Sequence, residues 1–198
     1  MNTELINFAA RVRDDISTEV ESPGEAGTHR AEALTRLFID ELIDDPRSAP
    51  FEDGEVAHHQ NARMRASGFS LSDAGDRLDL FVTIHRNVVP PEYIPSADVQ
   101  RAFRQLGRFL ERTLSEAKPL HLDVEQALPG YDMALRIYEN RQYLTRVYEN
   151  RQYLTRVQLH LFTDGLVRDQ QFEDVTIGNY RVTRHVWDIQ RLHRHRAH

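Results

Sequence analysis

The stretch from Ala62 to Arg86 sets the tightest limit on what this chain can fold into. It reads A-R-M-R-A-S-G-F-S-L-S, then D-A-G-D, then R-L-D-L-F-V-T-I-H-R. Two runs of strand character around a short Asp/Ala/Gly/Asp turn predict a β-hairpin. Strand side chains alternate with a period of two, so Leu78, Leu80, Val82 and Ile84 share one face. Asp79, Phe81, Thr83 and His85 share the other. In the first run Met64 and Ala66 are in step, but Phe69 and Leu71 fall one residue out. Ser67-Gly68 sits at the slip, which predicts a bulge there.

The rest of the chain has to pack around that hairpin, and 198 residues suffice for one core. No apolar run reaches the roughly 18–20 residues of a membrane span. The N-terminus, M-N-T-E-L-I-N-F-A-A-R-V-R-D-D, has no signal-peptide pattern. With no cysteine, disulfides, thiolate metal sites and a cysteine nucleophile are excluded, which fits a cytoplasmic protein. The net charge of −6 gives no global pull toward nucleic acid. Its distribution is uneven: residues 40–55 hold seven acids and one arginine, whereas residues 177–198 hold Arg181, Arg184, Arg191, Arg194 and Arg196 against Asp188 alone. The simplest reading of that basic end is a solvated terminal helix; the functional one is contact with phosphate or an acidic partner.

Helical spacing places Leu5, Phe8, Ala9, Val12 and Ile16 on one stripe between Asn2 and about Ser17. After the loop S-P-G-E-A-G, Thr28 is placed to cap a second helix, with Leu34, Leu37, Phe38 and Leu42 inward, ending at Asp44-Asp45-Pro46. Residues 47–61 read as polar and irregular and include Glu55 and the pair His58-His59. Beyond the hairpin and the proline-stiffened N-V-V-P-P-E-Y-I-P, a third helix runs from a Ser96 cap to about Ala117. Tyr131 to about Arg146 reads as a fourth. Alternation marks strands at Tyr153–Phe162 and Tyr180–Trp187, and Asp188 is placed to cap a short last helix. This order predicts an α/β (α+β) fold: a mixed sheet with a central antiparallel hairpin, flanked by helices.

Residues 138–147 and 148–157 are the same ten letters, Y-E-N-R-Q-Y-L-T-R-V, in tandem. Two copies of ten cannot build a solenoid. The absence of any divergence reads as a recent or artificial duplication that lengthens the fourth helix or its exit.

Five phrases carry a family resemblance: G-E-V at 54–56, G-F-S-L-S-D at 68–73, L-D-L-F-V at 78–82, L-H-L-F-T-D-G at 159–165 and V-W-D-I-Q-R-L at 186–192. Their order and spacing resemble the N-terminal domain of the abortive infection phage-resistance (AIPR) proteins over about residues 30–194. The resemblance implies a bacterial, cytoplasmic phage-defence protein with a restriction-endonuclease-like core. It divides the single domain 1–198 into an N-terminal helix and loop (1–27), a family-like core (28–194) and a tail (195–198).

A nuclease of that kind needs clustered carboxylates for Mg²⁺ and, as a rule, a lysine beside the attacking water. The resemblance places one acid where this chain has Ser67 and another at the pair Ile84-His85; the one lysine, Lys118, is distant in sequence. Glu55, Asp73, Asp79 and His85 remain as candidates. Asp73 and Asp76 read more simply as turn residues, Asp79 as a solvated strand residue, and His85 as a partly buried histidine. His58-His59 reads as polar loop, and His193, His195 and His198 as tail. The expectation is therefore a non-catalytic, nuclease-like domain that binds nucleic acid or a partner through its basic C-terminal end, with no metal site and no cofactor. The alternatives are a Mg²⁺-dependent nuclease using Glu55, Asp73 and Asp79, and a structural module that forms a homodimer.

Overall fold

The computed structural model describes residues 2–20, 26–43, 49–141, 147–148, 151–152 and 156–197. In chain order these form α1 (Thr3–Glu19), α2 (Ala26–Ile43), β1 (Glu55–Gln60), β2 (Arg65–Leu71), β3 (Arg77–Ile84), α3 (Ser96–Leu114), a 3₁₀ turn at Leu120–Leu122, α4 (Pro129–Asn140), β4 (Val147–Tyr148), β5 (Arg151–Gln152), β6 (Arg156–Thr163), β7 (Val175–Ile177), β8 (Tyr180–Asp188) and α5 (Ile189–Arg196). Six strands make one mixed sheet in the order β1-β2-β3-β6-β8-β7. The β1-β2-β3 meander is antiparallel, β3, β6 and β8 run parallel, and β7 returns antiparallel on β8. The mixed α/β architecture is thus the expected one. No helix among the described residues is long and apolar enough to cross a membrane.

Each face of the sheet is covered, as parallel strands require. On one side Leu78, Leu80 and Val82 pack with Phe103, Leu106, Phe109 and Leu110 of α3 and with Met133, Ala134 and Ile137 of α4. On the other, Phe81 and Phe162 meet Leu34, Phe38 and Leu42 of α2, the α1 stripe, and Ile189 and Leu192 of α5. Phe162 stacks between Phe38 and Phe81, with ring centroids 5.1 Å apart on each side. All five residues of the α1 stripe are buried, and the Asn2 side chain accepts the Glu4 N–H at 3.1 Å as its cap.

The hairpin slip is real. Ala66 and Phe69 lie in the same core layer although three residues apart. Pairing of β2 with β3 runs from Gly68↔Phe81 to Leu71↔Leu78, and the next N–H, that of Thr83, donates to Ser67 Oγ at 3.0 Å. The β1–β2 register shifts at the same level, between Val56↔Gly68 and His59↔Ala66. Glycine is required at 68: a Cβ there would stand 2.3 Å from the Glu55 carbonyl oxygen.

Several local readings are corrected. Residues 55–60 form an edge strand; its polar, half-exposed side chains hide the alternation that marks inner strands. The helix cap at the start of α3 is Pro95, with Ser96 already in the first turn, and α3 ends at Leu114. The second helix begins at Ala26, so Thr28 lies within it. The fourth helix ends at Asn140; the remainder of that expectation, residues 142–146, and the strand start at 153–155 lie outside the described residues. Tyr138 is helical while its duplicate Tyr148 pairs with Arg151 in a two-stranded ribbon.

Candidate functional site

The resemblance calls for acids at Ser67 on β2 and at the pair Ile84-His85, which closes β3 just beyond Thr83. Ser67 is buried on β2, and its hydroxyl accepts the Thr83 N–H. Thr83 Oγ1 lies 2.7 Å from Thr35 Oγ1 of α2, and Thr35 Oγ1 in turn donates to the Ala31 carbonyl at 2.6 Å. Arg65 donates to the Thr83 carbonyl, and burial lowers the pKa of its guanidinium. The end of the hairpin is therefore closed by three hydroxyls and one cation, with no carboxylate among them.

His85 follows β3 directly and meets Asp164, which follows β6. Its Nδ1 lies 2.8 Å from Asp164 Oδ2, and both side chains are nearly buried. Asp164 also accepts the N–H groups of Arg86 and Asn87, each at 2.8 Å. Burial pushes the Asp164 carboxyl up, but the His85 ring and these two N–H groups outweigh it and hold it below the usual range. Both ring nitrogens of His85 are buried, Nδ1 in ion-pair contact with Asp164 but without hydrogen-bond geometry, and Nε2 with no polar partner. A carboxylate-oriented imidazole with a free nitrogen has the form of a general base. No serine or threonine hydroxyl within hydrogen-bond distance of it completes a nucleophile pair among the described residues.

A second polar cluster crosses the middle of the sheet. Asp79 is 1% exposed and receives Arg77 Nε on Oδ2 at 2.8 Å. Its Oδ1 lies 2.8 Å from His160 Nε2, and Trp187 Nε1 donates to His160 Nδ1 at 3.3 Å. The indole is a donor only, so Nδ1 is the acceptor and Nε2–H donates to Asp79. His185 stacks on His160 with centroids 5.1 Å apart. Burial, reinforced by the neighbouring His160 and Arg191, lowers the His185 pKa to about 4. The reading of Asp79 as a solvated strand residue is thus corrected, because α2 and the 49–51 segment with Phe51 cover that face. His160 and its contact to Trp187 were not foreseen. The signal was present: an Asp in L-D-L-F-V and a His in L-H-L-F are polar groups in apolar strands, and each needs a partner.

The remaining candidates are dispersed. Glu55 lies on the α3/α4 face, held by Arg136 Nη1 at 2.6 and 2.7 Å, while Asp79 lies on the opposite face. Asp73 is exposed in the hairpin turn. Among the described residues no group of three or more His, Asp or Glu side chains is placed to hold a metal ion. His58 and His59 point to opposite faces, one toward Glu32 of α2 and the other against Phe109 of α3. Burial lowers the pKa of both.

The five C-terminal arginines do not form one surface. Arg181 pairs with Asp174 at 2.6 Å, and Arg196 with Glu41 at 3.2 Å. Arg191 lies 3.7 Å over the Trp187 ring and donates to the Val186 carbonyl. Arg184 donates to the Glu173 carbonyl beside Phe172 on the α3 face. Arg194 is exposed on α5. His193 packs on Phe8 and His195 on Trp187; His198 lies outside the described residues. Asp188 caps α5 as expected, accepting the Arg191 N–H at 2.8 Å.

Residues 34–194 match the family model described as the abortive infection phage resistance protein N-terminal domain. The match spans most of the chain, and the chain belongs to that family. No curated protein and no solved structure matches it.

Proposed function

We propose that this phage-resistance family member is a non-catalytic, nuclease-like domain that binds nucleic acid in the cytoplasm for a larger defence function. One observation carries the reading. The hairpin positions at which metal-holding acids are expected carry Ser67, whose hydroxyl already accepts the Thr83 N–H, and the pair Ile84-His85, so neither position supplies a carboxylate. The topology supports the nuclease-like part: an antiparallel three-stranded meander, a helix, and a further strand parallel to the meander's last. The acids that the catalytic alternative would use, Glu55, Asp73 and Asp79, lie on two faces and a turn.

The test is incubation with single- and double-stranded DNA and RNA, with and without Mg²⁺. The expected result is no cleavage above the metal-free control. Mg²⁺-dependent cleavage abolished by Glu55→Gln, a substitution at an exposed side chain, would overturn the reading.

A further inference from the structure

The outer face of α3 carries Arg101, Arg104, Arg108 and Arg112. At 100° per residue these fall within an arc of about 80°, nearly opposite the buried stripe Val99, Ala102, Leu106, Leu110 and Thr113. Successive members rise by about 4.5–6 Å, giving a straight row of cations about 16 Å long. The two end members are neutralised, Arg101 by Asp98 and Arg112 by Asp123. The two central ones, Arg104 and Arg108, are exposed and make no ion pair among the described residues.

A groove runs along each side of this ridge. One, of about 720 Å³, lies between α3 and the β1–β2 turn and is lined by Arg63, Met64, Arg108, Glu111, Arg112 and Ser115. The other, of about 310 Å³, lies toward β7 and includes Arg104, Arg108 and Arg184. Arg108 borders both, and Glu111 is the one carboxylate in either lining. A protein of net charge −6 thus gathers free cations along one helix.

We infer that the α3 arginine ridge, with Arg63 and Arg184 on its flanks, is a docking surface for the phosphate backbone of a nucleic acid. This rests on the binding role proposed above and gives it a location. The occupant follows from chemistry. Guanidinium groups in a row match regularly spaced phosphates. A protein partner would want an apolar anchor at the centre of its footprint. The exposed large apolar side chains, Val88, Tyr93, Leu122 and Leu128, belong neither to the ridge nor to its grooves.

The experiment is fluorescence anisotropy with labelled random-sequence duplex DNA, single-stranded DNA and single-stranded RNA across a salt series, with Mg²⁺-dependent cleavage followed in the same samples. Arg104→Ala/Arg108→Ala is compared with Arg11→Ala/Arg13→Ala on α1, which removes the same charge elsewhere. Removing two phosphate contacts should lower the slope of log K against log salt by about 1.8 for duplex or about 1.4 for single strands. Affinity at low salt should weaken about tenfold or more. Arg104→Lys/Arg108→Lys should restore the slope, and the α1 variant should behave as the parent. Unchanged binding by the α3 variant would overturn this surface while leaving the binding role standing. Equal losses in both variants, or no binding by the parent at low salt, would overturn it too. Cleavage in these samples would count against the non-catalytic reading alone.

Discussion

Replacing Asp79 separates a buried structural carboxylate from a catalytic one. In Asp79→Ala the His160 Nε2–H and the Arg77 guanidinium each lose an acceptor at 2.8 Å. His160 is 1% exposed and has nowhere else to turn, which costs about 1–3 kcal/mol for an unsatisfied buried donor. Arg77 retains 21% of its side-chain surface and a 3.3 Å bond to Gln158, so water recovers part of its loss. That holds the total near the lower end of the roughly 3–5 kcal/mol seen when a buried pair is broken. We expect about 3 kcal/mol, or about 6–12 °C in Tm for a chain of this length. Asp79→Asn keeps an acceptor for His160 and should cost about half as much. Urea unfolding with an unchanged m-value measures both. A double-mutant cycle with His160→Phe should give a coupling of at least about 1 kcal/mol. An Asp79→Ala midpoint equal to the parent's, as for a solvated strand residue, would refute the argument.

Two further outcomes follow from the same geometry. His185 has a folded pKa of about 4 against 6.5 unfolded, so its stabilising contribution is complete above pH 6.5 and is lost as pH falls toward 4. The half-burial of the ring screens the effect to on the order of 1–2 kcal/mol, read as a flatter acid limb in His185→Phe; an unchanged limb would contradict it. Gly68→Ala forces a Cβ against the Glu55 carbonyl and should detach the edge strand β1 with a loss of about 2 kcal/mol. Faster amide exchange confined to residues 55–60 and their β2 partners checks it, and uniform protection would speak against it.

The helices were legible wherever an apolar stripe at 3.6 spacing existed, as in α1 and α3, and the inner strands wherever alternation did. The bulge was legible because Ala66 and Phe69 cannot share a face in a regular strand. β1 was not, since an edge strand with half-exposed His58 and His59 carries no alternation. The duplicated decamer marks the limit of local reading: Tyr138 is helical and Tyr148 extended in identical letters. Context, not propensity, decides between them. The Asp79–His160–Trp187 line escaped because it joins residues about 80 and 27 positions apart, a proximity that only the parallel order β3-β6-β8 creates.

That same order accounts for the fate of the buried acids. Asp79, Asp164 and Asp188 each belong to one of the three parallel strands or the residue after it. Asp79 is held by Arg77 and His160. Asp164 is held by two backbone N–H groups and His85. Asp188 accepts from Arg191 N–H, from Val167 N–H at 3.0 Å and from Gln170 at 2.9 Å. A divalent cation bound by oxygen needs lone pairs that are turned toward one point. Here each carboxylate spends its lone pairs fixing a strand end, a loop or a helix cap, so recruiting any of them to a metal would first dismantle a piece of the fold. Two cations on α3 differ in this respect. Arg104 and Arg108 make no ion pair among the described residues and stand outward on α3. The acids at the strand ends are thus engaged within the fold, whereas these two guanidinium groups face solvent.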